Sequence, residues 1–134
     1  MTAQDVSSEK LSSIIARILD DKKAKDITIL NISNVSVLAD YFVICSSDTP
    51  TQIRALANYV RENIKDIFSR LPNGEERDLK NHWNLLDYGD VIVHILHKNE
   101  RETYAIEKFW SHAFKVSEAK WMEDSKEYSE YLEK

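Results

Sequence analysis

The sequence predicts an α+β fold, a mixed β-sheet with helices packed on it. Three observations carry the prediction. Apolar residues at helical spacing and at strand spacing follow one another in the order α-β-β-α-β-β-α. One helix announces its start with a full set of capping residues. Two strands are apolar on both faces and therefore belong in a sheet interior.

From Ser8 to about Lys23, Leu11, Ile14, Ile15, Ile18 and Leu19 fall on one helical face, with Lys10, Arg17, Asp20 and Asp21 elsewhere. Asp26 to Ile32 is rich in β-branched residues and reads as a strand; Tyr41 to Cys45 is a second, continuously apolar and central. Ser33 to Asp40 between them is a connection or a single helical turn. Thr49-Pro50-Thr51-Gln52 opens the next helix, with Thr49 as N-cap, Pro50 at the first position and Gln52 completing a capping box. Ile53, Leu56, Ala57, Val60, Ile64 and Ile67 form its apolar stripe. Leu71-Pro72-Asn73-Gly74 ends it, and the polar stretch Glu75 to Asn81 reads as a loop.

Trp83 to Asp87 is a strand with Trp83, Leu85 and Asp87 on one face and Asn84 and Leu86 on the other. Gly89 supplies the positive φ of a tight reversal, flanked by Asp87 and Asp90, and Val91 to His97 returns as an interior strand. Asn99 with Glu102 caps a further helix whose buried stripe is Ile106, Phe109, Trp110 and Ala113. Beyond Val116 the chain is charged, with Trp121, Tyr128 and Leu132 at roughly helical spacing. That places a domain over residues 1–114 and an acidic, helical tail over 115–134, docked on the body or on a partner.

With 134 residues the chain makes one domain large enough to bury a core. No apolar run approaches the roughly 20 residues that span a bilayer, and the opening Met1-Thr2-Ala3-Gln4-Asp5-Val6 is unlike a secretory or transit leader, so a cytoplasmic protein is expected. Cys45 is the only cysteine, which suits a reducing compartment. A net charge of −5, from 23 acids against 18 bases, argues against phosphate-backbone binding as the main contact and favours a basic protein partner.

Asp87 and Asp90 invite two readings, a catalytic or metal site of nucleotidyltransferase type and a surface that seeks a cation. The first lacks a phosphate cradle, since neither Gly74 nor Gly89 belongs to a glycine-rich motif. His94 and His97 lie on opposite strand faces and cannot share one ion without distortion. Cys45 sits among apolar neighbours, where thiols are inert. What remains is an aromatic and acidic set, Trp83, Tyr88, Tyr104 and Trp110 with Asp87 and Asp90, of the kind that forms interface hot spots steered toward a basic partner. Trp110 lies on a buried stripe; Trp83 divides between core and contact.

Ala39-Asp40-Tyr41-Phe42-Val43-Ile44, the run from Trp83 to His94, Arg101-Glu102-x-Tyr104 and Ile106-Glu107-x-Phe109-Trp110 resemble the ribosomal silencing factor family, RsfS or Iojap, from about Leu11 to Ala113. The resemblance implies a nucleotidyltransferase-like fold without the catalytic carboxylates, binding in place of turnover, and no cofactor. It further implies attachment to the large ribosomal subunit through its protein number fourteen, obstructing the small subunit, in a family whose members are often homodimers. Carried onto this chain, the partner surface falls on Trp83, Leu85, Asp87, Tyr88, Asp90 and His94, joined by Arg101 and Tyr104. One departure is the charged stretch Glu75 to Asn81, which lacks the glycine-containing lead that members often show before the tryptophan.

Overall fold

The structure, a computed structural model, describes residues 6–128. Helix α1 (Ser8–Asp21) is capped by Ser7, whose hydroxyl accepts the Lys10 amide at 3.1 Å, and it buries Leu11, Ile14, Ile15, Ile18 and Leu19. It stops short of Lys23 because that residue turns left-handed, at φ 64°. Strand β1 (Lys25–Asn31) follows, with a register shift between Lys25 and Thr28 and Asp26 at φ 52°. Strand β2 (Tyr41–Ser47) is buried at every position, as a central strand should be.

In α2 (Pro50–Phe68) the Thr49 hydroxyl accepts the Gln52 amide at 3.1 Å. The expected capping box is only half formed: Gln52 turns its side chain to accept the Ser47 hydroxyl, tying the helix start to the end of β2. Ile53, Leu56, Ala57, Val60 and Ile64 are buried as expected, and the stripe closes on Phe68, with Ile67 half-buried.

The stretch read as a loop contains a strand. Residues Gly74–Arg77 form β3, antiparallel to β4 (Trp83–Asp87). Its charges obscured it, and they suit its place, because an edge strand with exposed charged residues resists pairing with other chains. Strand β5 (Val91–His97) runs antiparallel to β4 and parallel to β2. The single helix expected after it is two: α3 (Lys98–Tyr104) and α4 (Ile106–Phe109), broken at Ala105, which lies at φ 47°. The cap of α3 is His97, whose Nδ1 accepts the Asn99 amide at 3.2 Å; Asn99 is the recipient. The break turns Phe109 outward, to 81% exposure, and leaves Ile106 as the buried anchor.

Strand β6 (Phe114–Val116) pairs with β1, completing a sheet of order β3-β4-β5-β2-β1-β6. It crosses the position at which the tail was expected to begin. Helix α5 (Glu118–Asp124) then packs on α1, burying Trp121 to 3% exposure, while Arg17 donates to the Ser125 hydroxyl and the Met122 carbonyl, both at 2.7 Å. Leu132 lies outside the described residues.

The sheet has unequal faces. Helices α1 and α2 cover one, enclosing a core that includes Ile29, Val43, Cys45, Leu86, Val93 and Ile95. The other carries a smaller cluster of Leu30, Ile32, Phe42, Ile44, Leu96 and Ile106, roofed by the α3–α4 segment. That roof meets β4 at Trp83, through Tyr104 of α3, and the residues of β4 alternate between half-buried and buried.

Candidate functional site

Period-two alternation sends Asn84 and Leu86 into the helix-covered core and leaves Trp83, Leu85 and Asp87 on the open side, as the sequence predicts. The β4–β5 register sets Trp83 beside Leu96, Leu85 beside His94 and Asp87 beside Ile92. Across this face six rings form a chain. Tyr104 lies 4.8 Å from Trp83 between centroids, Trp83 6.0 Å from His94, His94 4.7 Å from Phe42, Phe42 5.3 Å from Trp110 and Trp110 5.6 Å from Phe109. Phe42 and His94 are buried, Trp83 and Trp110 are half-buried, and the outer two, Tyr104 and Phe109, are exposed. Aromatic pairs in such tilted and edge-on arrangements add stability beyond the area they bury.

His94 governs the posture of Trp83. The indole Nε1–H donates to His94 Nδ1 at 3.2 Å, which requires a neutral imidazole with its proton on Nε2. Burial supplies that state, pushing the His94 pKa down to about 4. His94 thus contributes as the indole's support and not as a contact, since it is itself buried. Asp78 holds the backbone of the same strand by accepting the His82 and Trp83 amides at 2.6 and 3.1 Å.

Tyr88, expected at the surface, is a core residue. It is 1% exposed and sits in the helix-side cluster, its hydroxyl without a hydrogen-bond partner, and burial, helped by the charge of Glu75, pushes its pKa up. The strand alternation ends at Asp87, and the reversal turns Tyr88 inward. Its amide donates to the Val91 carbonyl at 2.9 Å to close the turn.

The two carboxylates do not converge on a common ligand. Asp87 accepts the Gly89 amide at 2.7 Å, with Gly89 at φ 89°, and keeps its half-buried place on the open face. Asp90 turns away to Arg70, which lies 3.2 Å off and also donates to the Tyr88 carbonyl at 2.7 Å. Among the described residues no group of three or more His, Cys, Asp or Glu side chains is placed to hold a metal ion.

Arg101 is likewise occupied. Its guanidinium donates to Glu107 at 2.8 Å, to the Thr28 hydroxyl at 3.1 Å and to the Asp26 carbonyl, strapping α3 to β1 with the side chain only 11% exposed. Burial would raise the Glu107 carboxyl, but the hydrogen bond and charge of Arg101 outweigh it and hold that pKa below the ordinary value. Cys45, wholly buried, has its thiol pushed up to about 12 and is inert as expected.

The open face therefore gathers Trp83, Leu85, Asp87 and Tyr104 from the expected set and leaves Tyr88, Asp90, His94 and Arg101 as its frame. It adds residues the sequence did not single out. Ile92 is half-buried beside Asp87, and Glu76, paired with Leu85 across β3–β4, is exposed. Glu76, Arg77, Asp78, Trp83 and Leu85 line a shallow hollow of about 350 Å³ at the edge of the face. The alternation of β5 could have found Ile92; nothing in a stretch read as loop pointed to Glu76.

The sequence pattern of the family RsfS, described as ribosomal silencing factor during starvation, matches residues 5–133. The chain is 35% identical over 108 residues to the ribosomal silencing factor RsfS of Bacillus subtilis, covering 81% of this chain and 91% of that one. It is 28% identical to the chloroplastic protein Iojap of Arabidopsis thaliana, over 84% of this chain and 46% of that one. A crystal structure of a Chromobacterium violaceum protein superimposes with a TM-score of 0.74 at 31% identity, covering 79% of this chain and 88% of that one.

Proposed function

This chain belongs to the ribosomal silencing factor family, and from that premise we propose that it binds the large ribosomal subunit through the subunit's protein number fourteen and blocks joining of the small subunit. The observation that carries the proposal is the open face of β4, where Trp83 and Leu85 stand half-buried beside the exposed Tyr104 of α3 and Glu76 and Asp87 rim them with negative charge. Aromatic anchors in an apolar patch with an acidic border fit a basic protein better than a phosphate backbone. A net charge of −5 favours the same choice. Obstruction needs only occupied volume, so the action is binding, without turnover or a cofactor. It takes place where ribosomes work, in the cytoplasm, and no described helix is long and apolar enough to cross a membrane.

The nucleotidyltransferase reading of Asp87 and Asp90 finds no support in their geometry, since one carboxylate is spent on the turn and the other on Arg70. A homodimer through the same strip would compete with the ribosome for it. The decisive assay is sedimentation of purified chain with purified large subunits, followed by light scattering on addition of small subunits. The chain should travel with the large subunit and suppress the rise in scattering. Absence from the large-subunit fraction would end the proposal.

A further inference from the structure

At the end of the sheet where β4 begins and β5 ends, two imidazoles and a carboxylate lie together. His82 and His97 stack with centroids 4.8 Å apart and planes 26° from parallel. Glu100, in the first turn of α3, sets Oε1 3.2 Å from His82 Nδ1 and Oε2 3.6 Å from His97 Nδ1. Oε2 is buried and has no hydrogen-bond partner. His97 Nδ1 does not supply one, because it accepts the Asn99 amide and is the cap of α3. Two acceptors thus face each other 3.6 Å apart, and a proton on Nδ1 would draw them together into a hydrogen bond.

We propose that His82, His97 and Glu100 form a proton-operated joint at the root of α3. Without the added proton, His97 caps the helix. When a solvent proton adds to the His97 Nδ1 lone pair, the new N–H donates to Glu100 Oε2 and the Asn99 amide is released. A charge-assisted bond is roughly twice as strong as the neutral one it replaces, so the protonated joint ties α3 more firmly to β5. Imidazole is the side chain whose charge ordinarily changes between pH 5 and 8. The charged groups facing the pair are Glu100 and Lys98 on α3, Asp78 before β4, and Asp48 after β2, which pairs with Lys25 and feels both Lys98 and His97.

The joint reaches the open face because Glu100 and Tyr104 share one side of α3, four residues apart, and Tyr104 rests on Trp83. Its bearing on partner binding rests on the function proposed above, but the joint itself can be tested without a partner. The experiment follows the Asn99 amide and the Trp83 indole N–H of the full chain by ¹⁵N NMR from pH 7.5 to 5.5, in the wild type and in His97→Asn. Asparagine keeps an acceptor at the cap and takes up no proton in this range. In the wild type the Asn99 resonance should move upfield as its hydrogen bond is lost, the Trp83 resonance should move with the same midpoint, and both responses should vanish in His97→Asn. An Asn99 amide that stays in place in the wild type overturns the joint. A Trp83 resonance that follows pH identically in both proteins overturns its coupling to the open face. Failure to bind ribosomes would alter neither result.

Discussion

Acidification should strip stability from this fold through one residue, His94. The unfolded chain protonates this imidazole near the ordinary 6.5, whereas the folded chain resists down to about 4 because the ring is buried. Between those values the unfolded state holds a proton that the native state refuses, so stability is complete above pH 6.5 and drains away as the pH falls toward 4. A gap of about 2.5 pH units at about 1.4 kcal/mol per unit makes the full loss roughly 3.5 kcal/mol, about 3 of it lost by pH 4, a large part of the 5–15 kcal/mol typical of a domain. The matched control is His94→Gln, which retains an acceptor for the Trp83 indole and does not titrate in this range. Urea unfolding followed by circular dichroism at half-unit pH steps gives both curves, and their difference cancels Glu107 and the other groups that titrate in each. The wild-type curve should fall away from that of the variant by roughly 3 kcal/mol between pH 6.5 and 4. Parallel curves, or a His94 ring that titrates near 6.5 in the folded protein, would show the burial argument to be wrong.

Tyr88→Phe removes a buried hydroxyl that bonds to nothing, so it should leave stability unchanged or raise it by about 1 kcal/mol; a loss of that size in urea unfolding would reveal a partner for the hydroxyl. Trp121→Ala withdraws the anchor of α5 from the main core and should cost about 3–5 kcal/mol. If thermal unfolding is unaffected, α5 contributes nothing to the fold. Gly89→Ala forces a Cβ to within 3.0 Å of the Asn73 side chain at a φ of 89°, and should destabilise by about 1 kcal/mol or more; an unchanged midpoint would mean that the turn accepts a side chain.

The elements that were legible in the sequence are those whose own residues decide their structure. The α2 start was readable because Thr49 and Pro50 act locally, and β4 because Trp83, Asn84, Leu85, Leu86 and Asp87 alternate cleanly. Strand β3 was hidden because Glu75, Glu76 and Arg77 carry no apolar period; only pairing with β4 makes them a strand. The break at Ala105 had no signal either, since alanine is a good helix former and its left-handed conformation is imposed as Ile106 seats in the core and Arg101 reaches across to Thr28 and Asp26. At the site, the open-face residues of β4 followed from alternation. Tyr88 and Asp90 did not, because a tight turn resets the direction of side chains in a way that period two does not describe. The place of Arg101 in the frame was not legible because two of its partners, Asp26 and Thr28, lie more than seventy positions away in the sequence.

Leu85 is the residue through which the account is tested most directly. It stands half-buried at the middle of the open face, beside His94 and Glu76, and lines the hollow at its edge. Affinity for purified large subunits should be measured for the wild type, Leu85→Arg and Tyr88→Phe, each first shown to be folded by circular dichroism. A cation in the centre of a face built for a basic partner should weaken binding at least a hundredfold, about 3 kcal/mol, while Tyr88→Phe binds as the wild type does. Undiminished binding by folded Leu85→Arg would contradict the assignment of this strip as the partner surface.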